Sequence, residues 1–267
     1  MSFNRIFAIM LRQAYLIRGS AARFFPIFAW IAVDMILWGF LTQYLNQVSP
    51  TGFNFVPVLL GAVIFWDFFI RIMQGVTMAF FEDVWARNFL NIFATPLSVS
   101  EYVGGLILSS IFTSIIGLSI MLLIASACFK LSLVVYGGAA MPFILILFLF
   151  GISIGILGCA IVLRFGPASE WFIWPIPALL SPFVGVLYPI STLPQWMQAV
   201  SRILPPSYVF EALRAIVAGR GVSVAGLMWS AILACGYILL SYWIFVKVYK
   251  GTLRTGLIAR YSAETLS

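Results

Sequence analysis

The chain has 267 residues, of which 63% are apolar and only 9% charged, and its mean hydropathy is +1.09. A soluble domain carries about 25% charged residues, so charge this sparse cannot coat a water-facing surface, and the soluble-enzyme class is excluded. The formal net charge of +7 comes from bases that bracket apolar segments, a pattern that membrane orientation accounts for without a nucleic-acid partner.

The leading segment, 1–23, carries Arg5, Arg12, Arg18 and Arg23 and lacks the uninterrupted apolar core of a cleavable signal peptide. At about 100° per residue, Phe3, Ile6, Phe7, Met10, Ala14 and Ile17 share one face, with Arg5 and Arg12 opposite. That predicts an amphipathic interface helix on the cytoplasmic membrane surface.

The remainder, 24–267, reads as one transmembrane domain. Apolar runs cover 24–45, 55–81, 102–129, 138–163, 171–191 and 224–246, and a membrane span takes about 20 apolar residues. The expectation is an all-α polytopic protein with six transmembrane helices. Arg87 and Arg164, with Lys247, Lys250, Arg254 and Arg260 of the tail, fall on the side of the leading segment. The short connections opposite carry only Lys130. The positive-inside rule then puts both termini in the cytoplasm, leaving Arg202, Arg214 and Arg220 in a long outer segment.

Three stretches are unusual. Segment 82–96 opens with Glu82 and Asp83, which suit a helix N-terminus. It spaces Val84, Trp85, Phe89, Ile92 and Phe93 as one helix and stops at Pro96. It is too short to span. It predicts either a cytoplasmic helix that receives a push from a soluble partner or a plain connecting helix.

Segment 171–221 is punctuated by Pro175, Pro177, Pro182, Pro189, Pro194, Pro205 and Pro206, each removing a helical hydrogen bond. It predicts a kinked fifth run, then short re-entrant helices over 193–217 in the outer leaflet. There Trp196, Met197, Val200, Ile203 and Leu204 recur at helical spacing, and Glu211 can pair with Arg214 three residues on.

The third stretch is intramembrane charge. Asp67 and Arg71 stand four apart, and at about 1.5 Å per residue Asp34 and Arg71 both sit about 15 Å deep. An Asp34–Arg71–Asp67 cluster follows, read either as an ion pair locking the first two spans or as polar lining of a transport path. Gly151-x-x-x-Gly155, extended by Cys159, permits close helix contact.

No catalytic or metal site is expected. There is no histidine, the commonest metal ligand and general base, and Cys128, Cys159 and Cys235 form no C-x-x-C pair. A phosphate-holding Gly-Lys-Ser/Thr step is absent around Lys130, Lys247 and Lys250. Nucleotide energy by that route has to come from another subunit.

Taken together, the chain resembles the permease subunit of an ABC-2-type exporter. The resemblance rests on the basic start, the six runs, and Glu82, Leu90 and Pro96 followed by Ser98 and Glu101. It is strongest near the end, in the run of Gly185, Tyr188, Pro189, Leu193, Pro194 and Trp196, then Pro205, then Glu211 and Arg214. It implies a dimer of two permease chains, expected as a homodimer in the cytoplasmic (inner) membrane, each docked to a cytoplasmic ATP-binding-cassette subunit. It implies no cofactor in this chain, with ATP and magnesium bound by that subunit. Segment 82–96, with Glu82, Asp83, Arg87, Phe89, Leu90 and Pro96, would be the coupling helix, and 193–217 the re-entrant pair closing the exit.

The expected cargo is lipophilic or amphipathic: a drug-like molecule, a lipid or a lipid-linked glycan. Trp30, Trp38, Trp66, Phe68, Phe69 and Trp174 are candidates to line its path, although interfacial belts and lipid-facing rings are the commoner reason for such residues. The alternative is an ion-coupled carrier using Asp34, Asp67 and Arg71 without ATP.

Overall fold

The structure is a computed structural model that describes residues 2–49, 54–86 and 89–255. All regular secondary structure among the described residues is helical, with no strand among them. A surface helix α1 (Phe3–Arg18) is followed by the long α2 (Ala21–Val48), which holds the first apolar run. A π-turn at Val56–Leu60 feeds α3 (Gly61–Trp85), and a short α4 (Phe89–Ala94) leads to α5 (Val99–Phe129). After a 3₁₀ turn at Leu133–Ala139 comes α6 (Ala140–Phe165). Then a 3₁₀ turn at Pro167–Phe172, α7 (Ile176–Val184), α8 (Gln195–Ser201) and α9 (Pro205–Val217) precede the final α10 (Val224–Arg254).

Among the described residues, four helical stretches are long and apolar enough to cross a membrane: Val56–Trp85, Val99–Phe129, Leu133–Phe165 and Val224–Arg254. The fifth run is broken rather than one continuous span-length helix, the kink that its prolines predict. Its residues form the 3₁₀ turn at Pro167–Phe172 and the nine-residue α7. Pro175 and Pro177 begin α7, Pro182 lies inside it, and Gly185 ends it in the left-handed region at φ +68°. Imide nitrogens that cannot donate keep the run from propagating as one helix.

The core is built around α3, which packs against α5 on one side and α6 on the other, with α10 on α6, α1 along α5 and α2 against α5. Small residues bring backbones together. A Cβ on Gly151 would lie 2.9 Å from Ile72 Cγ2, and one on Gly155 would lie 3.0 Å from the carbonyl oxygen of Met73. The Gly-x-x-x-Gly pair is therefore the α3–α6 contact. The Sγ of Cys159, one turn further, lies 3.9 Å from the carbonyl of Val76.

Rings fill the rest. Phe69 stacks on Phe150 with centroids 5.4 Å apart, and Phe65 meets Phe143 edge-on at 5.7 Å. Trp66, Phe68 and Phe69 are thus buried core residues, not path lining, whereas Trp30 and Trp174 are exposed.

The bundle has two distinct ends. At one, α1, the end of α3, α4 and the start of α5 meet, and the Pro167–Phe172 turn joins them where Trp85 Nε1 donates to Glu170 Oε2 at 3.0 Å. At the other, α9 touches the turns before α3 and α6, and the Tyr136 hydroxyl donates to the carbonyl of Pro57 at 2.6 Å. These are the α1 end and the α9 end of the bundle.

Candidate functional site

At the α1 end the structure changes the reading of 82–96. Glu82 and Asp83 do not open a new helix; they lie in the last turn of α3, which runs on to Trp85. A carboxylate at a helix C-terminus is disfavoured by the macrodipole, so it needs compensation from elsewhere in the fold. Asp83 obtains it from two other helices. Arg12 of α1 forms an ion pair with Asp83 Oδ1, and the Tyr102 hydroxyl of α5 donates to Oδ2 at 2.7 Å. Asp83 is 1% exposed, so one buried carboxylate joins α1, α3 and α5.

The turn after α4 is held just as firmly. Ser98 and Glu101 form a reciprocal capping box at the start of α5, in which each side chain satisfies the other residue's orphan N–H. Glu101 also accepts from the backbone N–H of Ser2 at 2.7 Å and pairs with Arg5 at 3.4 Å, while Arg5 donates to the carbonyl of Pro96. Between α1 and α4 lies a cleft of about 390 Å³ lined by Arg5, Ile9, Arg12, Asn91, Ile92 and Pro96, among others. Arg87, and the side chains of Phe89 and Leu90, lie outside the described residues.

α1 rests on the bundle through a face distinct from the predicted membrane-facing one. Ile9 and Gln13 are its buried residues, and Ile6 and Ile9 lie over Gly104 and Gly105 of α5. Gln13 donates to the carbonyl of Ala79 at 3.0 Å. Phe3 and Phe7 stay exposed and stack on each other at 6.3 Å.

Midway along the bundle the three predicted charges do come together: Asp34 and Asp67 both interact electrostatically with Arg71. The Arg71 stem occupies a notch at Gly117, where a Cβ would stand 2.9 Å from Arg71 Cδ and 3.7 Å from Ile31 Cδ1 of α2. Asp67 Oδ2 is buried with no hydrogen-bond partner.

At the α9 end the predicted exit residues assemble into a clasp. Arg214 donates to the carbonyl of Gly185 at 2.7 Å, and its other nitrogen pairs with Glu211 Oε1 at 2.8 Å. That same carboxylate oxygen accepts from the backbone N–H of Ile190 at 2.8 Å. Arginine and glutamate on α9 thus hold both ends of the turn that carries Tyr188 and Pro189. The Tyr188 hydroxyl folds back onto the carbonyl of Pro182 at 2.9 Å. Leu193 accepts from Gln198 at 2.8 Å, Pro194 caps α8, Trp196 meets Phe183 with ring centroids 6.0 Å apart, and Pro205 opens α9, its carbonyl accepting from Ser230.

Sequence reasoning missed the partners Tyr102 and Ser230, which lie 19 and 25 residues from their acceptors with no local pattern to reveal them. The capping box was signalled by Ser98 and Glu101 standing three apart.

A comparison with curated proteins gave no match. The family model described as ABC-2 type transporter matches residues 5–218, most of the chain, from α1 through α9 and so including both the Asp83 junction and the Glu211–Arg214 clasp. The chain belongs to the ABC-2 type transporter family and is a multi-pass membrane permease of ABC transport.

Proposed function

We propose that the chain is the transmembrane permease of an ATP-driven exporter, powered by a separate ATP-binding-cassette subunit that docks on the cleft between α1 and α4. The observation that carries this reading is the Asp83 junction. It ties the candidate docking face directly to α3 and α5, so force applied at α1 and α4 has a stiff path into the bundle. Closure of the ATP-binding subunits would then bias the bundle between states through their differential contacts with it.

In this reading the α1 end is cytoplasmic. It gathers Arg5, Arg12, Arg18, Arg164, Lys247, Lys250 and Arg254, as the positive-inside rule requires. Both termini then face the cytoplasm across the inner membrane, and α8 and α9 form the re-entrant pair at the exit. Two copies of the chain make the cargo path, and the cargo is lipophilic or amphipathic.

The test is capture of the ATP-binding subunit by the full-length permease in mild detergent, followed by transport in vesicles. Asn91→Glu and Thr95→Arg, both at exposed positions, are expected to abolish capture while leaving the permease monodisperse. Retained capture would show that α4 is not the docking element. Cargo movement by the chain alone, driven only by an ion gradient, would favour the secondary-carrier alternative and overturn the proposal.

A further inference from the structure

Asp34, Asp67 and Arg71 are the charged residues of the middle of α2, α3 and α5; the nearest others in those helices are Glu82, Asp83 and Glu101 at the α1 end and Arg23 at the start of α2. With both carboxylates ionised, two of them against one guanidinium would leave the junction one negative charge in excess. A bare charge at membrane depth is costly and marks a functional site by default.

The surroundings have unused hydrogen-bonding capacity as well. On α5, Ser110, Ser114 and Gly117 follow one another along the seam with α3. Ser110 donates to the carbonyl of Ile72 at 2.8 Å, and Gly117 receives the Arg71 stem. Ser114, between them, therefore faces α3 at the level of the charges. It is 1% exposed, and its hydroxyl has no hydrogen-bond partner. Asp67 Oδ2 is likewise buried and unpartnered.

The α2 side adds a third observation. Trp30 and Trp38 flank Asp34 at one turn before and one turn after, so the three share a helix face. Trp30 is 70% exposed, Trp38 is partly buried against the core, and Asp34 is neither buried nor fully exposed. A carboxylate between two indoles is suited to an ammonium group, which indole faces attract through the ring quadrupole.

We infer that the α2–α3–α5 junction is a binding site for the cationic group of an amphipathic cargo, with Asp34 and Asp67 as counter-ions, Ser114 as an acceptor and Trp30 and Trp38 as aromatic walls. Arg71 is wedged at Gly117 and fixes the position of the carboxylates without neutralising both. The inference rests on the permease reading above and narrows its cargo to amphiphiles bearing an ammonium or comparable organic cation. Two sources share that chemistry: a soluble amine and the headgroup of an aminophospholipid.

The experiment is equilibrium binding of rhodamine 6G, a permanent cation, to the full-length permease in phosphatidylcholine nanodiscs, with uncharged Nile red as control. Saturable rhodamine binding is expected. Asp67→Asn and Asp34→Asn should each weaken it about tenfold, the worth of one charge-assisted contact, with Nile red unmoved. Ser114→Ala, a smaller change, should weaken it measurably while leaving folding intact, and Asp67→Glu should largely restore it.

Adding phosphatidylethanolamine to the nanodiscs separates the sources. Competition with the dye assigns the site to a lipid amine, and no competition assigns it to a soluble one. Unchanged rhodamine binding in well-folded Asp34→Asn, Asp67→Asn and Ser114→Ala variants would overturn the inference, as would equal losses for both dyes. So would a site that only takes up a proton, seen as proton binding at Asp67 with no rhodamine competition. Capture of the ATP-binding subunit through α4, measured on the same variants, stays intact whichever way the dye result falls, so failure of the site is distinguishable from failure of the exporter reading.

Discussion

The hydroxyl of Tyr102 donates to Asp83 Oδ2 at 2.7 Å, and this bond fastens the start of α5 to the last turn of α3. Because the other oxygen of Asp83 holds Arg12, removal of the carboxylate strands a partly buried guanidinium and a buried phenol together. Loss of one partner from a buried charge pair costs about 3–5 kcal/mol. Asp83→Ala is therefore expected to lower the thermal midpoint of the purified permease sharply. Tyr102→Phe, which removes a single hydrogen bond to a charged group, should cost about 1.5–3 kcal/mol. Equal midpoints for Asp83→Ala and wild type would remove the junction as a structural element.

At the α9 end, Arg214→Met retains the apolar stem but frees the carbonyl of Gly185 and the carboxylate of Glu211. The expected outcome is local loosening at a cost of about 1.5–3 kcal/mol. It is read as faster labelling of a cysteine placed at Ile190 in an otherwise cysteine-free chain. Arg214→Lys should rescue only in part, because an ammonium cannot reach a carbonyl and a carboxylate in the same fork geometry.

Gly185→Ala tests the turn that the clasp holds. Its φ of +68° is a left-handed conformation, and a Cβ there would stand 2.9 Å from the carbonyl oxygen of Tyr188. A cost of about 1–2 kcal/mol is expected from the backbone alone, visible as a lowered midpoint. Gly219→Ala, at the same φ but with nothing within 4 Å, should show the backbone cost without the clash.

The α3–α6 seam gives a steric prediction. A valine at Gly155 has to displace Val76, whose Cβ would lie 2.8 Å from the new one. Overpacking of this kind costs about 1–3 kcal/mol. Gly236→Val on α10, where a Cβ meets nothing within 4 Å, should be close to neutral in the same melting assay.

Much of the architecture was legible from hydropathy. The first, second, third, fourth and sixth apolar runs correspond to α2, α3, α5, α6 and α10 because lipid-buried helices are specified by length and composition alone. Prolines correctly marked 171–221 as broken, but the seven-proline stretch could not say where its pieces would begin. The boundary inside 82–96 was misplaced for a physical reason. Two acids signal a helix start by default, and Asp83 can sit at an end instead because Arg12, 71 residues away in sequence, and Tyr102 compensate its carboxylate. The Asp34–Asp67–Arg71 grouping was readable because i, i+4 spacing and equal depth are local quantities. Ser114's place in it depended on the α3–α5 register, which no single-chain pattern reveals.

The glycine-lined contact between α3 and α6 has a mechanical meaning. Backbones that touch at Gly151 and again at Gly155 have no slack in which to slide, so those two helices travel together as a single strut. α2 meets that strut mainly through α5 and the turn before α3, so it is the rod freest to shift against it. Each swing of that outlying rod would carry Asp34 toward or away from Arg71, so the rod's position and the hold of the proposed site on a cation would be two faces of one displacement.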